Sequence, residues 1–130
     1  MAEASYSDDL LYHPEHDWAK VEGDQATFGI TWYAQDALGE VVFYDPPEVG
    51  SEVSKDQPYA EVESVKAVSD VFAPLSGEIT EVNPGVADSP ETINSDPYGD
   101  GWLVKVKLSD PAEAEGLMDA AAYKAMLEDS

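Results

Sequence analysis

The chain has no cysteine among its 130 residues, which excludes disulfides, zinc–thiolate sites and iron–sulfur clusters. Any thiol chemistry must therefore arrive on a bound group. Arginine is also absent: the six basic residues are all lysines, set against 28 Asp plus Glu, for a formal net charge of −22. Nucleic acid and anionic membranes are poor partners for such a surface. No apolar run approaches the ~18 residues of a membrane helix, and no basic-then-apolar start marks a secretory signal. A Gly-rich phosphate loop, a Gly-x-Ser-x-Gly elbow and a cysteine nucleophile are likewise missing. Carboxylate pairs occur throughout, so a glycosidase-like pair would be an accident of composition.

Hydrophobic residues make up 43% of the chain, enough for one domain with a real core. The acids are spread along the chain rather than gathered in a tail. That pattern predicts adaptation to a halophilic, salt-in cytoplasm, where the Debye length falls to about 3 Å and self-repulsion is screened.

Residues 1–9 are polar, small and acidic and read as a flexible terminus. From Trp18 to Ile30 the pattern is a hairpin turning at Glu22-Gly23-Asp24-Gln25. Thr31 caps a short helix through Leu38, with Gly39 just past its end. Val41 and Phe43 alternate as one face of a strand stopped by Pro46-Pro47. Glu78 to Val82 is a short strand ended by Asn83-Pro84-Gly85. The stretch from Val86 to Gly101 reads as loop, with Gly99 and Gly101 relieving backbone strain at a corner. Trp102, Val104, Val106 and Leu108 share an apolar strand face, opposite Lys105 and Lys107. The period then changes: Asp110, Pro111 and Glu113 start one helix or two short ones. Many short strands with appended helices predict a mainly β sandwich or barrel.

Two clusters invite chemistry. His13 and His16, near Glu15 and Asp17, resemble a metal loop but lack a third His or a Cys, and a loop packing Trp18 is the simpler reading. The second cluster is Glu63-Ser64-Val65-Lys66-Ala67-Val68-Ser69-Asp70, nearly a palindrome. Folding it about its centre pairs Val65 with Val68, Ser64 with Ser69 and Glu63 with Asp70, leaving Lys66 and Ala67 at the tip of a hairpin. Without Asn-Gly or Gly-Gly, a type I turn is expected. A lysine there serves as an edge-solubilising charge, a catalytic amine or a modification site. The flanking Glu63 and Asp70 favour the protonated form and count against a reactive amine.

The ordered set of short motifs resembles the H-protein family of the glycine cleavage system, a family of lipoyl carriers. The similarity runs from about Tyr12 to Leu127. It rests on His16-Asp17-Trp18, Gly29-Ile30-Thr31 through Ala34-Gln35 and Leu38-Gly39, Pro47-Glu48-Val49-Gly50, the lysine palindrome, Pro74-Leu75-Ser76-Gly77-Glu78, Glu81-Val82-Asn83 and Pro97-Tyr98-Gly99-Asp100-Gly101-Trp102-Leu103. The resemblance implies a barrel-sandwich hybrid with a short internal helix and C-terminal helices. Residues 10–130 would form a single lipoyl-carrier domain, β-rich over 10–109 and helical over 110–130. Lys66 would carry lipoic acid in amide linkage, with Glu63 and Gly77 as the frame read by a lipoate ligase or lipoyl transferase.

The implied partners are a pyridoxal-phosphate glycine decarboxylase, a tetrahydrofolate-dependent aminomethyltransferase and dihydrolipoamide dehydrogenase. The protein itself would be a non-catalytic, cytoplasmic, monomeric carrier. The loaded arm would fold into a surface cleft, with Asp17 and Asp70 as contacts to its amine; Asp17 stands where a glutamate is common and is one methylene shorter. Lipoyl domains of 2-oxo acid dehydrogenases and biotinyl domains share the tip but lack the C-terminal helices, and biotinyl tips carry methionines where Val65 and Ala67 stand. A relay of lipoyl groups to other proteins and an unmodified interaction module are the remaining alternatives.

Overall fold

The computed structural model describes residues 9–128. The flexible terminus expected over 1–9 lies, except for Asp9, outside them, as do the last two residues of the helical segment. Three strands come first: β1 (Leu11–His13), β2 (Asp17–Glu22) and β3 (Gln25–Ile30), followed by α1 (Trp32–Leu38). Next come β4 (Val41–Asp45), β5 (Glu52–Val53), β6 (Pro58–Ser64), β7 (Val68–Phe72) and β8 (Gly77–Val82). Two short helices, α2 (Pro84–Asp88) and α3 (Thr92–Ser95), precede β9 (Val104–Leu108), a 3-10 turn (Pro111–Gly116) and α4 (Ala120–Glu128).

The strands form two antiparallel sheets, one of order β1-β2-β3-β9-β8-β5 and one of order β4-β6-β7. Alternation decides which side chains go inside. In β9 Val104, Val106 and Leu108 are buried while Lys105 and Lys107 face water, as the period of two requires. Phe28, Ile79 and Val106 from the larger sheet pack in one core with Val62 and Val71 from the smaller. Each such side chain contributes roughly 1.5–3 kcal/mol on burial. A second cluster joins Leu10, Tyr12 and Trp18 to Ala120 and Tyr123 of α4, with the Tyr12 and Tyr123 rings stacked at 4.8 Å. The protein is a barrel-sandwich hybrid, mainly β, with its C-terminal helix docked on the first strands.

Several local expectations need correction. Val41 and Phe43 do not share a face: the β4–β6 register shifts between them, so Val41 and Tyr44 are buried while Phe43 is exposed. An extra residue in one strand of a pair reverses the alternation beyond it. The stretch after Val82 is not all loop, because Asn83 caps α2 through Gly85 N–H and Pro84 takes its first turn. At the corner, Gly99 and Gly101 do not have positive φ. A side chain on either would collide with Asp96, its carboxylate in the first case and its carbonyl in the second. Asp110 caps the 3-10 turn through Ala112 N–H, while the Glu113 carboxylate reaches away from that turn to accept Ser76 N–H at 2.8 Å and Ser76 O–H at 3.1 Å.

Candidate functional site

The lysine hairpin is real, but its register is not the palindrome's. The observed partners are Glu63 with Val68, Val62 with Ser69 and Glu61 with Asp70. The turn runs from Ser64 to Ala67 with Val65 and Lys66 at its centre, closed by Ser64 N–H to Ala67 C=O at 2.8 Å. Ser64 sets this register. Its Oγ accepts the N–H groups of Lys66 and Ala67, both at 3.1 Å, replacing the backbone bonds that a longer turn would make. The displacement is by two residues, so every side chain stays on its expected face.

The tip is also propped from outside. Val65 N–H donates to the Glu40 carbonyl at 3.0 Å. The supporting loop is stapled by Asn94, whose amide donates to the Gly39 carbonyl at 2.8 Å and accepts Val41 N–H at 2.8 Å. Gly39 ends α1 with φ of 80°, where a side chain is strained. It has a second reason to be glycine: a Cβ there would stand 3.0 Å from Lys66 Cε. Lys66 is thus exposed on a backbone fixed by five hydrogen bonds from residues 64–67 and Glu40. Beside Gly39 and Glu40 lies a groove of about 610 Å³ reaching Trp32 and Glu91. Neither Ser64 nor Asn94 stood out in the sequence, where only the short polar type at a turn or helix gave a signal.

Glu63 is exposed on β6, adjacent to the tip. Gly77 is elsewhere, in the larger sheet between Val53 and Leu108. A Cβ on it would collide with the Lys107 carbonyl oxygen and the Val106 side chain. Packing of β8 on β9 is reason enough for glycine there.

Asp17 and Asp70, distant in sequence, line one cavity of about 190 Å³. Its walls are apolar, including Ile30, Ala34, Leu38, Val62 and Val71, with Glu15 and His16 beside the two aspartates. Asp70 is exposed, whereas Asp17 is 1% exposed. Asp17 Oδ2 and the Tyr59 hydroxyl are the two buried side-chain polar atoms without a hydrogen-bond partner among the described residues. Burial pushes the Asp17 carboxyl well above the usual carboxylate range, Glu15 adds to the rise, and the Phe72 backbone N–H opposes it. Tyr59 is raised by burial too, then by Tyr44 and Asp17.

The two histidines do not converge on a common point. His13 Nδ1 accepts Glu15 N–H at 3.1 Å, and its Nε2–H donates to Asp56 at 2.5 Å. His16 Nδ1 shares the Tyr123 hydroxyl, at 2.7 Å, with Thr31 Oγ1, at 2.9 Å. Burial holds the His16 imidazole below its ordinary value. The His16 φ of 73° is unusual for a non-glycine; its ring lies 4.6 Å from Tyr33. That network ties α4 to the N-cap of α1 and to the rim of the cavity.

An exposed lysine on a propped β-tip, whose hairpin also lines an apolar cavity with an acidic end through Val62, Ser69, Asp70 and Val71, suits a covalent arm with an apolar stem. Comparison with known proteins identifies the family. The family model for the glycine cleavage H-protein matches residues 10–130. A glycine cleavage system H protein of Symbiobacterium thermophilum is 55% identical over 117 residues, 90% of this chain and 91% of the relative. The one from Halorhodospira halophila is 50% identical over 123 residues, covering 94% and 95%. The crystal structure of an H protein from Mycobacterium marinum superposes with a TM-score of 0.86 at 41% identity, covering 94% of this chain and 98% of that one. The chain belongs to the glycine cleavage H-protein family.

Proposed function

We propose that Lys66 Nζ is the point at which lipoate is attached, and that the cavity holding Asp17 and Asp70 receives the loaded arm. The protein is a lipoyl carrier subunit of the glycine cleavage system and is not itself an enzyme. When bound, lipoate supplies a disulfide that accepts the aminomethyl group of glycine and is returned as a dithiol. The partners are glycine decarboxylase, aminomethyltransferase and dihydrolipoamide dehydrogenase, with a lipoate ligase or lipoyl transferase acting beforehand. We place the carrier in the cytoplasm; no described helix is long and apolar enough to cross a membrane.

The residues of the chain do three physical things. Ser64 and Glu40 hold the tip, so the attached arm swings from a fixed origin and each partner meets it at a high effective concentration. The apolar walls formed by Ile30, Leu38, Val62 and Val71 take up a hydrocarbon stem and exclude water from its end. Glu15, Asp17 and Asp70 give that end a preference for a cation. Glu63 lies close enough to the tip to be read by the attaching enzyme. Gly77 would act at a distance, by keeping β8 flat on β9.

The observation that carries this reading is the exposure of Lys66 on a tip whose backbone N–H groups, from Ser64 to Ala67, are all hydrogen-bonded. Its test is reconstitution. Chain lipoylated by a lipoate ligase and mixed with glycine decarboxylase should support exchange of the glycine carboxyl with bicarbonate. It should remain unacylated by a 2-oxo acid decarboxylase with its own substrate. No exchange, or acylation instead, would point to another carrier role.

A further inference from the structure

We propose that Asp17 stands as a neutral carboxylic acid in the unloaded protein and gives up its proton when a cationic arm enters the cavity. One ammonium is then exchanged for one proton. The identity of the arm comes from the carrier reading above; the state of Asp17 rests on its own surroundings.

Among the described residues, no cation faces Asp17 from any of the elements packed on it. On the loop before β2 stand Glu15, an acid, and His16, whose Nδ1 is held at 2.7 Å by the Tyr123 hydroxyl. From β1, His13 Nδ1 approaches Asp17 Oδ2 at 3.9 Å. This is not an ion pair, because the same Nδ1 accepts Glu15 N–H and has no proton to offer. From β6 comes Tyr59, a neutral hydroxyl without a partner of its own. From β7 come the Asp70 carboxylate and one backbone N–H, that of Phe72. Lysine is missing from the cavity lining, and Lys66 instead lies over Gly39.

A carboxylate that is 1% exposed, with one oxygen unpartnered and acids beside it, is strongly disfavoured. Taking up a proton removes the penalty. An arriving primary ammonium reverses the balance, since it offers three donors and a full positive charge. Asp17 then ionises, and its proton leaves to solvent. A neutral head supplies no such charge and leaves Asp17 protonated, so the exchange discriminates loaded from unloaded arms. The burial of Asp17 is what makes the discrimination sharp: the exposed Asp70 gains far less from the same charge.

The test uses carboxyl 13C NMR of aspartate-labelled protein, followed from acid to mildly alkaline pH. Four samples suffice: the unlipoylated chain, the lipoylated chain, and the reduced lipoylated chain alkylated either with a haloethylamine or with a haloethanol. The two thioethers are stable and differ in the charge of the head. Asp17→Asn assigns the resonance. One aspartate, absent in that variant, should titrate well above the rest in all samples except the aminoethyl one. In that sample its midpoint should fall by about one pH unit or more, a tenfold change in proton affinity.

Titration of Asp17 with the other aspartates in the unlipoylated chain would overturn the neutral acid. Equal midpoints with aminoethyl and hydroxyethyl arms would overturn the exchange. Refusal of lipoate by the ligase would instead remove the carrier reading and the exchange with it, while the unlipoylated titration still decides the state of Asp17.

Discussion

Lys66 and Asp17 mark two regions of this molecule that treat charge in opposite ways. At the tip, the charged group is in water and the backbone beneath it is bonded at nearly every position. In the cavity, the ionisable group is buried and one of its oxygens has no partner among the described residues. The tip costs little electrostatically and is built for presentation. The cavity carries a standing penalty, which is relieved by a proton or by a cation. A carrier needs both: an attachment point that any enzyme can reach, and a resting place that distinguishes what the arm holds.

The difference can be broken at either end. The largest expected effect is functional and belongs to the tip. Lys66→Arg should reduce glycine–bicarbonate exchange to background, while the melting curve moves by no more than about 0.5 kcal/mol, as for other exposed substitutions. Loss of the fold together with the activity would show that the lysine is structural. Gly77→Ala should act in the opposite sense. The new methyl group meets the Lys107 carbonyl and Val106, and overpacking of this kind costs about 1–3 kcal/mol. Denaturant unfolding should register that loss, and lipoylation at Lys66 should survive in whatever fraction remains folded.

The cavity has its own pH signature. Asp17 is raised when folded, so its contribution favours the folded state at low pH. That contribution is lost as pH climbs from about 3.9, the unfolded value, through the higher folded one, at up to about 1.4 kcal/mol per pH unit. Asp17→Asn should remove this term. The stability difference between variant and wild type should therefore move in the variant's favour as pH rises across that window. Thermal melts of both proteins over the same pH series would reveal it, and parallel curves would contradict it.

Salt separates the two regions as well. With 28 acids against six lysines, molar KCl should raise the melting temperature by about 5 °C through screening. A salt-independent melting point would refute the halophilic reading. The Asp17 pH term should be nearly unchanged in that salt, because buried charges are poorly screened. The smallest effect is expected from Ser64→Ala. Losing the acceptor for two N–H groups at a wet tip should cost about 1 kcal/mol, and lipoylation kinetics should show a correspondingly slower transfer to a looser lysine.

Much of this was legible in the sequence because it follows short-range rules. Thr31 and Gly39 delimit α1 by capping chemistry alone, and the β9 alternation fixes its inward face. The palindrome located the hairpin and its lysine but displaced the register, since symmetry of residue types says nothing about where the Ser64 hydroxyl will close a turn. The same blindness hid the bulge that turns Phe43 outward. It also hid the two short helices after Val82, which have too few residues to show a period. Asp17 and Asp70 could be named from family resemblance, but their contrast could not. Burial of Asp17 beside Tyr59 arises from β6 and β7 folding over β2, a contact between residues more than forty positions apart. No local pattern encodes an unpartnered oxygen.

The central claim is that Lys66 is the single lipoylated position, and the most direct measurement is peptide-mapped intact mass after treatment with lipoate ligase and lipoate. Wild type should gain one lipoyl group, located on the peptide containing Lys66, and Lys66→Arg should gain none. An unmodified wild type, or a lipoyl group on any of the other five lysines, would contradict the account.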